Sequence, residues 1–463
     1  MQPSRILTLT DSKKTGNAVI YIMSRDQRVH DNHALLAAQN TAIEHDLPLY
    51  VFFNLKKLSH RSREHYEFML AGLEEVAAEL SKLTIPFIMR SGDPEANILA
   101  LAKELEARYL YFDFNPLTGP RNMAKKIAAS FDGTVCVVDT HNIIPARVVS
   151  DKKEFAAHTM RTKIHKYLET YLIEPPKLLS HHATPSQPAS LSFNEARSFI
   201  STIPACGITV SVQPGEKAAH HHLKTFLQSG LEHYAKNRND IANDQQSGFS
   251  PYLHYGHISS LRIALEVFVS VKEQPLLFQE SKLAQAGETP SRRDGMNALF
   301  EEMIVRKELA DNFCFYADDY LSLSAGLSWA QTSIAEHALD KREFLYSRKQ
   351  WENAQTHDQS WNAAQNQLRK TGKMHGYMRM YWAKKMLEWS KTPDQALADC
   401  IYLNDKYSID GGDPNGYVGI LWSMIGLHDR PWFERPVFGK IRYMNEGGLM
   451  RKYDVASYQQ QWL

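Results

Sequence analysis

At 463 residues the chain is longer than one ordinary core, so two domains are expected. Its 43% apolar and 23% charged content is that of a globular protein, and no apolar run approaches the length of a membrane span. A formal net charge of +1 excludes a chain that is basic throughout, so contact with nucleic acid needs a local basic patch.

The first 145 residues alternate strand and helix patterns. Short apolar runs at 18–23 (AVIYIM), 48–53 (PLYVFF), 85–90 (IPFIMR), 109–114 (YLYFDF) and 134–139 (TVCVVD) are bounded by polar turns. Stretches with a 3.6-residue period, such as 63–83 and 95–107, lie between them. Repeated βα units predict a parallel, Rossmann-like sheet with helices on both faces, over residues 1–150. Neither GxGxxG nor GxxxxGK[ST] is present, so the usual phosphate-binding turns are missing. Residues 151–215 are expected to form a linker, with Pro and Ser concentrated in 174–215. From 216 to 463 the pattern is almost wholly helical, and an all-α domain is expected there. Within it, 271–297 is polar and weakly periodic and is expected as an exposed insertion.

The four cysteines (Cys136, Cys206, Cys314, Cys400) form no CxxC pair, which favours a reducing compartment and argues against a structural zinc site. With no h-region before a cleavage site, a cytoplasmic protein is expected. His220, His221 and His222 lie on one helical pattern, where neighbours point 100° apart, so a solvated helix face is expected rather than a metal site.

Several constellations could carry chemistry. In GFSPYLHYG (248–256), Ser250 suits an N-cap and Pro251 the first helical position. Ser247, Gly248 and Ser250 could also cradle a diphosphate. In EEMIVRKELADNF (301–313), Glu302 and Arg306 stand at i and i+4, the spacing of a helical ion pair. NDKYSIDGGDPNGYVGILW (404–422) gathers Asn404, Asp410 and Asp413 around a DPNG turn before Gly416, Gly419 and Trp422. All eight tryptophans lie at or beyond Trp329. Two of them, Trp382 and Trp389, share a helical pattern and stand about 10 Å apart along its axis. Trp361 precedes them on a neighbouring pattern. Such spacing is usual for core packing and is also that of an electron relay.

These stretches, in this order, resemble the photolyase/cryptochrome family, and specifically the class II cyclobutane pyrimidine dimer photolyases. The resemblance runs from IYIMSRDQRVHDNHALL (20–36) through EFAAHT (154–159), YAKNRND (234–240), FSPYLHYGHIS (249–259) and ELADNFCFY (308–316). It continues in THDQSWNA (356–363), TGKMHGYMRMYWAKKMLEW (371–389), LNDKYSIDGGDPNGYVG (403–419), GLHDRPW (426–432) and RPVFGKIRYM (435–444). It implies FAD in the helical domain. Tyr234, Ser247, Phe249 and Ser250 would hold its diphosphate and ribityl chain, with Arg306 also at the cofactor and Arg379 paired with Asp410 beside the ring. Asn404 would face flavin N5. Glu302 would hydrogen-bond a pyrimidine carbonyl as a desolvated, neutral acid, while Asn239, Met380 and Trp422 line the lesion pocket. Gln246 departs from the Thr or Ser of other branches.

The implied reaction is light-driven repair of UV-damaged DNA. Photoexcited, reduced anionic flavin donates an electron to a flipped-out dimer, the ring splits and the electron returns. Trp382, Trp361 and Trp389 would relay electrons to the flavin, with Trp389 ending near solvent. Arg238, Trp432, Arg442 and Lys440 would contact DNA, as would Lys384, Lys385, Arg435, Arg451 and Lys452. Whether an antenna chromophore (deazaflavin, folate or none) occupies the N-terminal domain is left open. A monomer is expected. The alternatives are a cryptochrome-like photoreceptor and a light-independent nucleotide-binding enzyme.

Overall fold

The computed structural model describes residues 2–181, 187–272 and 289–463. Six strands form one sheet: β1 (Ile6–Thr10), β2 (Ala18–Ile22), β3 (Leu49–Leu55), β4 (Phe87–Ser91), β5 (Ala107–Asp113) and β6 (Thr134–Val138). Their order is β1-β6-β5-β2-β3-β4, and all neighbours are parallel except β1 with β6. The five parallel strands are those read from the apolar runs. Helices cover both faces, so a central strand such as β2 is buried at every residue. Strand β1 escaped the sequence reading. Its threonines alternate with apolar residues, it is only half buried, and its pairing with β6 alone defines it.

After β2 the chain lays β3 and β4 on one side, then crosses back to lay β5 and β6 on the other. The carboxyl ends of the strands at that reversal leave a crevice. Asp113, closing β5, gathers the loop after β2: it accepts from the Ser24 and Arg25 backbone N–H at 2.8 and 2.9 Å and from the Tyr21 hydroxyl at 2.7 Å. Burial, with Asp26 close by, pushes the Asp113 carboxyl up to about 6.

The expected linker is more structured than its composition suggests. It contains the helices Ala157–Tyr171 and Phe193–Ile200, which bury Met160, Ile164, Leu168 and Ile200. Part of its Pro/Ser-rich stretch covers the open edge of β4, where Leu191 N donates to Met89 O (2.7 Å) and Met89 N to Ser190 Oγ (2.9 Å). A covered edge cannot pair with another chain. Of the expected insertion, residues 273–288 lie outside the described residues. Its far end is exposed at Arg293 and Asp294 but turns inward: Ser291 caps the helix Arg292–Phe300, and Gly295, Met296 and Asn297 are buried. A Cβ at Gly295 would sit 1.7 Å from the Leu231 carbonyl oxygen, so only glycine lets these two helices meet.

The helix Lys307–Tyr316 joins the two halves. Its Asp311 takes both Nη atoms of Arg25 (2.7 and 2.8 Å) and the Asn142 amide (3.0 Å). Lys307 donates to His141 O and Asn142 Oδ1, both at 3.0 Å, and Glu308 accepts from Ile143 N at 2.7 Å. Buried charges are tolerated here because nearly every one is paired. Among the described residues no helix is long and apolar enough to cross a membrane. All four cysteines are free.

Candidate active site

A cavity of about 350 Å³ opens between the helices Ser250–Tyr255, Gly376–Trp389 and Pro414–Ile425 and the turn at Glu301–Arg306. Six residues expected at the site meet in its wall: Ser247, Phe249, Ser250, Glu302, Arg379 and Asp410. Gln246 is there too. The turn before the first helix is set by Gly248 (φ +70°) and by His222, whose Nε2 donates to Ser247 O at 2.7 Å and whose ring stands edge-on to Phe249. Of the three histidines, then, His221 is solvated while His222 props the cavity wall. Ser250 is the first helical residue rather than the N-cap, which is Phe249 with no side-chain cap bond.

The floor is charged. Asp410 accepts from the Ser408 hydroxyl at 2.7 Å and lies 4.0 Å from Arg379. Burial opposes its charge, but Arg379, Ser408 and His254 outweigh burial and hold the carboxyl below its usual range. Asp413 is held lower still: burial again opposes the charge, and the His254 hydrogen bond, with Arg25 behind it, prevails. His254 takes the Arg61 guanidinium on Nε2 (3.2 Å), so its Nδ1–H faces Asp413 at 3.3 Å. His254, Lys307 and Lys373 line the cavity and were not singled out for it, and Asp413 lines it beside Asp410, with which the sequence had grouped it. The legible signal for His254 was slight: it lies one turn after Ser250.

Glu302 and Arg306 do not pair. Residues 301–306 form a π-helical turn, whose wider pitch stacks i on i+5. Arg306 Nε therefore donates to Glu301 (2.9 Å), and Arg161 closes on the same carboxylate (2.8 Å). Arg306 is half exposed and away from the cavity lining, which removes it from the expected cofactor contacts. Freed from Arg306, Glu302 is taken by the Tyr234 hydroxyl and the Arg238 guanidinium. Tyr234 thus serves Glu302 and does not line the cavity; burial and the Glu302 charge raise its hydroxyl well above the usual range. Arg238 is likewise committed to Glu302 rather than free for DNA. Glu302 was expected in a desolvated pocket, but its side chain is 43% exposed and paired with Arg238. Asn239 follows Arg238, half buried.

Asn404 is buried, with Nδ2 donating to Asp405 Oδ1 at 2.9 Å. It reaches the cavity wall behind Gly416, where a Cβ would stand 3.1 Å from Asn404 Nδ2. Met380 and Trp422, both half buried, belong to the packed helices Gly376–Trp389 and Pro414–Ile425. Trp432 and Arg442 stack at 4.1 Å, with Arg442 held by both carboxylate oxygens of Asp429 (2.8 and 3.0 Å). Lys440, Arg435, Arg451 and Lys452 are exposed, as phosphate contacts must be. Lys384 and Lys385 are not: both are buried, Lys384 against Ser423 O (3.0 Å) and Lys385 against Glu388 (2.6 Å). They were expected to contact DNA, but their helix is enclosed at those positions.

The tryptophans do pack as a file, but through a member the sequence reading missed. Trp382 stacks on Trp361 (6.2 Å, planes 8° apart), Trp361 meets Trp351 at 4.7 Å, and Trp351 stacks on Trp389 (6.3 Å, 10°). Trp389 is only 4% exposed, so it does not itself end at solvent. The exposed ring of His357, 4.5 Å away, lies between it and water.

An open parallel sheet joined to a helical domain with a deep, charged cavity is a cofactor-binding architecture. Residues 19–185 match the DNA photolyase family. The chain is 42% identical over 448 residues to the deoxyribodipyrimidine photo-lyase of Potorous tridactylus, covering 96% of this chain and 81% of that one. It is 43% identical over 468 residues to the enzyme of that name from Oryza sativa subsp. japonica, covering 96% and 87%. The bacterial class III photolyase of Agrobacterium tumefaciens superposes with a TM-score of 0.72 at 20% identity, covering 98% and 87% of the two chains. The Synechocystis cryptochrome superposes equally well (0.72) at 17%, covering 97% and 89%. The chain belongs to the DNA photolyase family.

Proposed function

We propose that this chain is a class II photolyase, which uses light and reduced FAD to split cyclobutane pyrimidine dimers in UV-damaged DNA. The observation that carries the reading is convergence: Ser247, Phe249, Ser250, Glu302, Arg379 and Asp410, spread over more than 160 residues of sequence, line one cavity. Relatives above 40% identity bear the photo-lyase name, and a photoreceptor reading is not favoured.

The residues fit FAD. Arg379, Lys307 and Lys373 bring positive charge for a diphosphate, the Ser247–Ser250 turn brings hydroxyls, and Phe249, Leu253, Leu299 and Met374 bring apolar surface for a flat ring. When bound, reduced FAD supplies the photoexcited electron that opens the dimer. Arg379 and Asp410 hold opposite charges at the cavity floor, and Asn404 stands behind Gly416. Glu302, aimed by Tyr234 and Arg238, is placed to hydrogen-bond the pyrimidine rim: a carbonyl when protonated, N3–H when ionised. Met380 and Trp422 offer the extruded dimer apolar surface in place of the stack it leaves. Lys440, Arg435, Arg451 and Lys452 meet phosphates. A second chamber of about 690 Å³, lined by Ser24, Arg25 and Asn115 at the reversal of strand order and by Tyr417 of the helical half, has room for an antenna chromophore. The test is direct. The purified protein should show flavin absorbance near one per chain, and illumination should lower the dimer content of irradiated DNA; coloured protein that leaves dimers intact overturns the repair reading.

A further inference from the structure

Lys384 is fully buried, yet among the described residues no carboxylate pairs with it. Its ammonium donates to the carbonyl of Ser423, in the last turn of the helix Pro414–Ile425, where carbonyls lack a donor four residues on. The same ammonium stands 4.8 Å from the centre of the Trp422 ring. On Trp422 lies a second cation, Arg442, at 5.5 Å; Arg442 also covers Trp432 at 4.1 Å, and Trp432 meets Arg430 at 5.4 Å. Cation and indole thus alternate along five side chains joined by four contacts, from a buried foot at Lys384 to exposed Arg430. Asp429 braces the middle: besides clasping Arg442 it lies 3.5 Å from Trp432 Nε1.

A desolvated ammonium over an indole face is held far more strongly than an exposed one, because water no longer competes for the charge. We propose that Lys384 is a positioning residue: as the foot of this ladder it fixes the Trp422 ring as the surface that receives the dimer and, through Arg442, fixes Trp432 at the rim. The inference rests on the reading that Trp422 lines the lesion pocket. A lysine that only capped the helix would serve stability alone, whereas the ladder makes lesion selectivity depend on the lysine's charge. Lys384 carries a proton that is easily lost: burial pulls the ammonium down to about 7, with Asp429 opposing and Arg442 assisting. Those two charges, Ser423 O and the Trp422 face are the groups turned toward it from the elements packed against its helix.

The experiment measures binding to a dimer-containing duplex and to its undamaged counterpart from pH 6 to 9, for the parent, Lys384→Met, Lys384→Arg and Trp422→Ala. In the parent the preference for the dimer should fall as pH rises through about 7 and Lys384 loses its charge. Lys384→Met should lose about tenfold in preference at pH 6, one cation–π contact's worth, and show no pH slope. Lys384→Arg, charged throughout, should keep the preference and also lose the slope. Flavin content and undamaged-duplex binding should be parental. If Trp422→Ala loses the preference while Lys384→Met keeps it with the parental slope, the ladder is dispensable and the inference falls. If Trp422→Ala itself binds the dimer normally, the reading of Trp422 falls instead. If Lys384→Met does not fold, the arginine variant decides, since a parental slope there overturns the inference.

Discussion

The indoles of Trp361 and Trp382 lie 6.2 Å apart with planes 8° from parallel, and Trp361 Nε1 donates to the Trp382 carbonyl at 3.0 Å. Trp382 Nε1 in turn donates to Gln365 Oε1 at 2.9 Å, so both rings are fixed in plane as well as in stacking. Fixed, buried, near-parallel rings suit a relay and equally suit a packed core, and photoreduction separates the two.

Trp382→Phe should therefore abolish photoreduction of the oxidised protein by an external thiol, as followed by flavin absorbance. Reduced chemically in the dark, the variant should still repair dimers at close to the parental rate. Phe keeps most of the volume, so the fold should survive. Because the shortest ring contacts run through Trp351, Trp351→Phe should slow photoreduction as well. Parental photoreduction in both variants returns the file to core packing.

Glu302→Ala should keep flavin content and lower the repair yield per photon. One charge-assisted hydrogen bond is worth about 1.5–3 kcal/mol, or roughly ten- to a hundredfold in the ring-splitting step. The alanine also orphans the buried Tyr234 hydroxyl, so Glu302→Gln, which keeps the shape, is the companion variant. An unchanged quantum yield in both would remove Glu302 from the chemistry.

Glu308 gives a pH dependence of known sign. Burial pushes its carboxyl up to about 8 from the usual 4.5, although Lys307 and the Ile143 N–H pull the other way. Between those values the folded chain keeps a proton that the unfolded chain has released. This contribution to stability therefore falls as pH rises from about 4.5 to 8. Glu308→Gln, neutral at every pH, should melt a few degrees above the parent near pH 8 and level with it near pH 4.5. A constant offset between the two melting curves across this range would mean that Glu308 does not carry the effect.

Salt dependence separates surface cations from buried ones. Lys440→Ala should weaken binding to damaged and undamaged duplex alike and lower the slope of log affinity against log salt by about 0.9. Lys385→Met should leave that slope unchanged, because Lys385 is buried against Glu388 and releases no counterion. Equal slopes for the two variants would contradict the placement of these lysines.

The sequence by itself determined the two-part architecture. Five apolar runs became the five parallel strands, because a strand covered on both faces must be apolar along its length. It also determined much of the cavity wall, since Ser247, Phe249, Ser250, Arg379 and Asp410 sit in stretches whose family likeness points to a cofactor, with Ser247 and Ser250 also at the start of a helix. What only the tertiary structure decided is which polar group meets which. The i and i+4 spacing of Glu302 and Arg306 is an ion pair on an α-helix, but one π-helical turn hands Arg306 to Glu301 and Glu302 to Arg238 and Tyr234, from a helix some 65 residues earlier. Lys384 and Lys385 look like surface charges because lysine is rarely buried; their enclosure depends on the helix Pro414–Ile425 and the chain beyond it. Trp351 is a lone tryptophan in a five-residue helix, and only packing places it between Trp361 and Trp389. Periodicity is a local property that reports which face is covered. Pairing of charges and stacking of rings depend on distances between segments far apart in the chain, and those exist only once the core has closed.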